Sequence, residues 1–221
     1  MTPSPEAPQA VPARQRRRER SPDALPLLEQ LAALYPQLFG AVFVPLKRGI
    51  FQDLLQAHPD RFDQAALKSA LALHTRSSRY LAAVSQGLPR HDLTGTPVEA
   101  MAPEHVHHAL LEVFRRRQAR SSEDLTPTLR RRLLQAFEHA GLTPEAYAAL
   151  VQGRDAQANA LLDEVLQEVR AREARDEALL RAFDSGAASV PAFADMYGLQ
   201  AGFVEQALSR ARRVRERLAP A

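Results

Sequence analysis

The side chains best suited to chemistry in this 221-residue chain are cations set beside an apolar helical pattern. Lys and Arg donate hydrogen bonds to phosphate oxygens, and the guanidinium fork of Arg can engage two oxygens at once. A tyrosine next to an arginine adds a hydroxyl that bonds to phosphate and a ring that lies against a base. The candidate phosphate-binding residues are Lys47, Arg48, Lys68, Thr75, Arg76, Arg79, Tyr80 and Arg90.

Four of these candidates recur at helical spacing. Thr75, Arg76 and Arg79 follow Lys68 by seven, eight and eleven residues, which brings all four near one another on one side if the segment from Lys68 to Tyr80 is largely helical. Such a row of donors can follow successive phosphates. From spacing alone, a solvated helix face is the more common explanation.

Composition excludes several classes of protein. The chain has 29 Lys+Arg against 26 Asp+Glu and a pI near 9.7, so nucleic-acid binding has to be argued from where the cations lie. It has no cysteine, which excludes disulfides and thiolate zinc sites. The N-terminus has no apolar leader and no stretch reaches the roughly 18 apolar residues of a membrane span, so we expect a cytoplasmic protein.

A histidine cluster is the nearest approach to a metal site. His105 and His108 can share a helix face near Glu104 and His107, but the HExxH spacing is missing. Phosphate-binding glycine loops and nucleophile elbows are also missing. We therefore predict no enzyme activity, no cofactor, no metal and no small-molecule substrate.

The chain divides into an arm, a helical module and a helical extension. Residues 1–22 are rich in proline and arginine and are predicted to be a disordered basic arm, in which Arg16, Arg17 and Arg18 are candidate peripheral phosphate contacts. Residues 24–120 read as one mostly helical module with a small β-hairpin that turns at Gly95, and Arg115 near its end is a further peripheral candidate. A solubilising tail and a solvated helix end are the alternatives for these arginines.

Capping signals divide the helices. Asp63 is predicted to cap one helix, and Thr75 or Ser77 the next. Residues 121–221 are predicted to be all α, with helix starts at Thr126 and Thr143. A helix-turn-helix is possible near residues 189–218, although such helix pairs are also common in structural bundles.

Three segments together resemble the FinO/ProQ family of bacterial RNA chaperones. They are Pro45–Leu54, Leu67–Leu81 with its Arg79-Tyr80 pair, and Leu88–Pro97. The resemblance implies a FinO/ProQ-like fold over roughly 24–120, mainly α with a small β-hairpin, followed here by an all-α C-terminal region.

In that resemblance Lys47 matches the family's lysine at the start of its second helix, and Arg90 matches the arginine that opens its hairpin. Lys68 stands where the family often has a cation. The implied role of these positions is to hold the base of an RNA hairpin and its 3′ single-stranded tail. Ala72 and Ser78 depart from the family pattern, and Arg76 can restore the charge missing at Ala72.

The resemblance implies an RNA-binding chaperone that acts on small regulatory RNAs and mRNA 3′ ends in post-transcriptional regulation. Two alternatives stay open. One is a DNA-binding transcriptional regulator that uses the C-terminal helix pair. The other is an adaptor whose residues 121–221 bind a protein partner or a second copy of the chain.

Overall fold

The computed structural model describes residues 24–186 and 189–218. The predicted basic arm, with Arg16, Arg17 and Arg18, lies outside these residues. Contacts divide the chain into two compact units, Met1–Ala83 with Leu88–Ala100, and Val84–Gly87 with Met101–Ala221. The boundary at residue 100 falls earlier than the predicted module end at 120, because the helix that begins at Pro103 packs with the helices that follow it.

Five helices and a hairpin make up the described part of the first unit. Its helices are α1 (Ala24–Leu34), α2 (Pro36–Phe39), α3 (Ile50–Ala57), α4 (Gln64–Thr75) and α5 (Ser78–Val84), of which α5 ends at the boundary. α1 packs along α4, and α3 also packs on α4. Leu31, Leu38, Leu54 and Leu67 are fully buried and form the centre of its core.

The hairpin joins β1 (Arg90–His91) to β2 (Pro97–Glu99) in antiparallel pairing, with Arg90 opposite Glu99. Gly95 turns it with φ of 83°, and a Cβ there would lie 2.9 Å from Cγ of Gln37. Both the left-handed backbone and the close approach therefore require glycine. A further parallel bridge pairs Leu46 with His91, which attaches the segment before α3 to the hairpin.

Helices alone form the described part of the second unit. They are α6 (Pro103–Gln118), α7 (Thr126–Ala140), α8 (Pro144–Val151), α9 (Ala156–Asp184), α10 (Val190–Tyr197) and α11 (Ala201–Leu218). One buried cluster includes Phe137, Tyr147 and Leu166, and a second includes Phe193 and Leu208. No described helix has the length and apolarity needed to cross a bilayer.

The predicted fold class, mainly α with a small hairpin and an all-α C-terminal region, is confirmed. Asp63, Ser77 and Thr143 each accept a hydrogen bond from a backbone N–H three residues on, as predicted for caps. The helix start predicted at Thr126 is confirmed, since α7 begins at this residue. Its capping role is not, because the N-cap is Leu125 and the N–H of Thr126 itself donates to the carboxylate of Asp124.

Candidate nucleic-acid interface

The candidate site is organised around the backbone of Leu46. Its N–H donates to the hydroxyl of Tyr80 at 3.0 Å, and its carbonyl accepts from Nη1 of Arg90 at 3.0 Å. On either side, the Lys47 N–H donates to the His91 carbonyl and the His91 N–H to the Pro45 carbonyl, each at 2.8 Å. The loop that carries Lys47 and Arg48 is thus held by four hydrogen bonds, three to residues of β1 and one to Tyr80 of α5.

Tyr80 and Arg90 are buried, which changes the part they can play. Tyr80 is only 6% exposed and the Arg90 side chain 11%. Burial raises the pKa of the Tyr80 phenol, so the hydroxyl stays neutral at physiological pH. Both residues were candidates for direct phosphate contact, and the structure places their polar atoms on Leu46.

The cations of this loop are Lys47, which is partly exposed, and Arg48, which is exposed. Nζ of Lys47 lies 2.8 Å from Oδ2 of Asp53, and this hydrogen bond is the main reason that the pKa of Lys47 is raised. The Arg48 side chain is 65% exposed. Gly49 follows with φ of 82°, so the chain turns sharply into α3 directly after the two cations.

Glu99 on β2 contacts both arginines. Its Oε1 accepts from the Arg48 N–H at 3.2 Å and lies 3.4 Å from Nε of Arg90, while Oε2 lies 3.6 Å from Nε of Arg48. The cationic loop therefore already holds an anion, supplied by the protein itself.

Aromatic rings connect Arg79 to this loop. The Arg79 guanidinium lies 5.9 Å from the ring centroid of Phe43, and that ring lies 4.5 Å from the ring of His74. The His74 ring in turn lies 5.4 Å from that of Tyr80. His74 is 4% exposed, and burial lowers its pKa to about 4. The exposed Arg79 thus rests on a neutral aromatic support.

The other three candidates lie on α4 and at its end. Lys68 is exposed, Thr75 donates from its hydroxyl to the Leu71 carbonyl at 2.8 Å, and the exposed Arg76 is the C-cap. Lys68 and Arg79 lie on separate helices, because α4 ends at Thr75 and α5 begins at Ser78, as the predicted cap at Thr75 or Ser77 implied. The Ser77 cap makes this break, since its side chain binds the N–H of Tyr80.

The candidates thus fall into two groups. Contacts join Lys47, Arg48, Arg79, Tyr80 and Arg90 into one connected region, and Lys68, Thr75 and Arg76 lie on α4 and at its end. Three further residues of the connected region were not predicted from the sequence, namely Phe43, His74 and Glu99. For Glu99 a signal existed, because the hairpin register puts it opposite Arg90.

Many arginines of the second unit form ion pairs with carboxylates. Arg115, a predicted peripheral contact, binds Asp155 and Glu112, and these hydrogen bonds raise its pKa. On α11, Arg210 binds Asp176 through two nitrogens at 2.6 and 3.0 Å. Arg215 and Arg217 on the same helix bind other acids of α9. These paired cations offer little charge to a nucleic acid.

α10 and α11 do form a helix pair, with Gly198 as a left-handed C-cap between them. The first turn of α11, residues 201–204, carries no cation. The DNA-binding alternative thus lacks a charged helix start.

The histidine cluster does not converge on a point. His107 is buried, and burial lowers its pKa to about 4, whereas His105 is half exposed and lies 3.8 Å from Glu104. Over residues 24–186 and 189–218, no three His, Asp or Glu side chains are placed to hold a metal ion.

The first unit is therefore of a definite class, a small helical domain in which a hairpin and a buried tyrosine position an exposed cationic loop. The model of the ProQ/FINO family matches residues 22–126. Residues 22–126 of this chain are accordingly a ProQ/FINO family domain.

Two curated relatives are the RNA chaperones ProQ of Aeromonas salmonicida (strain A449) and Aeromonas hydrophila subsp. hydrophila. Each is 39% identical over 89 residues, a match that covers 37% of this chain and 42% of the relative. The chain thus spans about two fifths of the length of the curated relatives it matches.

Two solved structures are also similar. A FinO-like RNA chaperone from Neisseria meningitidis MC58 is 28% identical with a TM-score of 0.38, and the match covers 44% of this chain and 82% of that one. A ProQ homolog from Legionella pneumophila is 26% identical with a TM-score of 0.35, covering 54% of this chain and 99% of that one.

Proposed function

We propose that this chain is a noncatalytic RNA-binding protein that captures the stem and 3′ single-stranded tail of terminator-type hairpins. The observation that carries the proposal is the loop of Lys47 and Arg48, which Tyr80 and Arg90 hold in place by binding Leu46. It is supported by the family of the domain and by the names of its relatives, which are RNA chaperones.

The proposed mechanism is recognition of shape and backbone. An A-form stem hides its base edges in a deep, narrow major groove, so the protein meets phosphates and 2′-hydroxyls first. Lys47, Arg48 and Arg79 expose cations to these groups, and Lys68 and Arg76 extend the positive surface along α4. No covalent bond is made or broken, and no cofactor takes part.

Tyr80 and Arg90 act indirectly in this scheme. Their hydrogen bonds fix the loop before RNA arrives, which lowers the entropy lost on binding. They are positioning residues, whereas Lys47, Arg48 and Arg79 are the proposed contacts.

In the cell, the proposed consequence is post-transcriptional regulation. A protein that covers the 3′ end of a small RNA or an mRNA protects that end, and by holding the stem it can promote pairing with a second RNA. The proposed compartment is the cytoplasm, where these RNAs act.

The test is binding of the full chain to a hairpin RNA with a 3′ uridine tail, to the same RNA with a blocked tail, and to duplex DNA. We expect the order tailed hairpin, blocked hairpin, duplex DNA, with affinity falling steeply as salt rises. Equal or tighter binding to duplex DNA would overturn the proposal in favour of the DNA-binding alternative.

A further inference from the structure

A carboxylate occupies the centre of the cationic loop. Glu99 contacts the Arg48 N–H, the Arg48 guanidinium and the Arg90 guanidinium, at 3.2, 3.6 and 3.4 Å. These are the kinds of donor that would surround a phosphate oxygen. Glu99 thus lies where an anionic ligand of this loop would lie.

The pairing is open to exchange with a ligand. The Glu99 side chain is one third exposed, and its distances to the two guanidinium nitrogens exceed those of tight charged hydrogen bonds. Arg48 is exposed, and exposed ion pairs contribute little free energy, so a ligand phosphate can compete with Glu99 for Arg48.

The charges near the loop differ from those near Arg79. Asp53 and Glu99 face Lys47, Arg48 and Arg90, and the charge of Asp92 also acts on Lys47. Arg79, by contrast, lies over Phe43 and forms no ion pair in the part of the chain that the structure describes. An RNA phosphate is therefore attracted to Arg79. The loop of Lys47 and Arg48 is nearly neutral until the carboxylates of Asp53 and Glu99 are displaced.

We propose that Glu99 is a specificity-determining residue of the RNA site, whose carboxylate must be displaced from Arg48 by a correctly placed phosphate. RNA that meets only Arg79 and α4 does not reach this position and gains nothing from the loop. RNA with a phosphate at the loop replaces Glu99 and recruits Arg48. This inference rests on the proposed function and adds to it a residue that opposes nonspecific binding.

Glu99→Gln in the full chain tests the proposal. Glutamine keeps an oxygen that accepts from the Arg48 N–H but removes the charge. The probes are a hairpin RNA with a 3′ uridine tail and a blunt duplex RNA, each titrated from low to high salt. We expect the variant to bind the duplex about fivefold more tightly than wild type, with a smaller gain for the hairpin. The slope of log affinity against log salt for the duplex should steepen by about 0.7–0.9, since one more phosphate is neutralised.

Glu29→Gln is the matched control. Glu29 is exposed on α1 in the same unit and forms no ion pair within the described residues, so this variant has the same net charge without freeing a loop cation. Arg48→Ala is the second variant. Arg48→Ala should weaken duplex binding more in the Glu99→Gln background than in wild type, because Arg48 is released from the Glu99 carboxylate only in that background.

The outcomes separate the two proposals. Suppose that wild type binds the tailed hairpin, and that Glu99→Gln equals Glu29→Gln in RNA affinity, in salt slope and in preference for hairpin over duplex. Glu99 then does not determine specificity, and the proposed function stands. If wild type binds neither RNA, the proposed function and this inference both fail. Melting curves of each variant show whether a lost affinity reflects unfolding. For folded variants, additive effects of Glu99→Gln and Arg48→Ala on duplex affinity would overturn the inference, and non-additive effects support it.

Discussion

Tyr80 and Arg90 bind opposite sides of one residue, the hydroxyl accepting the N–H of Leu46 and the guanidinium donating to its carbonyl. Neither side chain can leave this arrangement without breaking a hydrogen bond, which is buried for Tyr80 and partly buried for Arg90. The two residues are also near each other, since the charge of Arg90 acts on the Tyr80 phenol. The pair converts a flexible peptide segment into a fixed base for Lys47 and Arg48.

Removing the Tyr80 hydroxyl should loosen this base. Tyr80→Phe keeps the ring but leaves the Leu46 N–H without its acceptor, and we expect the unfolding free energy to fall by about 1–3 kcal/mol. RNA affinity should fall as well, because the loop is no longer held. Urea denaturation and RNA titration measure the two effects.

Tyr35→Phe serves as its control. The Tyr35 hydroxyl lies 2.8 Å from Nε2 of the His58 ring and is partly exposed, so water can replace that bond. A loss of RNA affinity equal in both variants would contradict the special role of Tyr80.

Arg79 should contribute charge without contributing much to folding. We expect Arg79→Ala to weaken hairpin binding about five- to tenfold and to reduce the salt slope by about 1, with a stability change of at most about 1 kcal/mol. Arg61→Ala is the matched control, because Arg61 is also an exposed arginine of this unit, 6.0 Å from the ring of Phe62. Equal RNA affinities for the two variants would remove Arg79 from the site.

The stability of the second unit should depend strongly on one buried ion pair. The Asp176 side chain is 5% exposed and accepts two hydrogen bonds from Arg210. Asp176→Asn leaves the arginine without its counter-charge, so we expect the unfolding free energy to fall by about 3 kcal/mol. Asp163→Asn, on the exposed face of the same helix, should cost far less in the same urea titration. Equal midpoints would show that the pair contributes little.

Buried histidines should make stability fall in mild acid. Burial lowers the pKa of His74 from 6.5 to about 4, so between these values the unfolded chain takes up a proton that the folded chain does not. Stability from this residue is therefore complete above about pH 6.5 and declines as the pH falls toward 4. His107 acts in the same direction, since burial also lowers its pKa to about 4.

Urea denaturation at several pH values between 7 and 4.5 measures this dependence. His74→Phe keeps a ring among Phe39, Phe43 and Tyr80 but cannot be protonated, so its curve should be flatter. A slope identical to that of wild type would show that His74 is not the group that titrates.

Much of the architecture follows from chemistry that is local in the chain. Asp63, Ser77 and Thr143 cap helices through bonds to backbone N–H groups three residues away, and Gly95 turns the hairpin because it accepts a positive φ. These features depend on neighbours a few residues apart, so they can be predicted from residue order. The break between α4 and α5 is of the same kind, and the Ser77 signal for it was present in the sequence.

The roles of the site residues depend on contacts that are distant in the chain. Tyr80 meets Leu46 across 34 positions and Arg90 meets it across 44, so residue order alone could not show that two candidate RNA contacts are buried supports. The availability of each arginine's charge also depends on distant contacts, because the sequence does not show which arginines pair with a carboxylate in the folded chain. The chain's residue types marked where a polyanion could bind, and long-range packing settled which cations remain exposed to meet it.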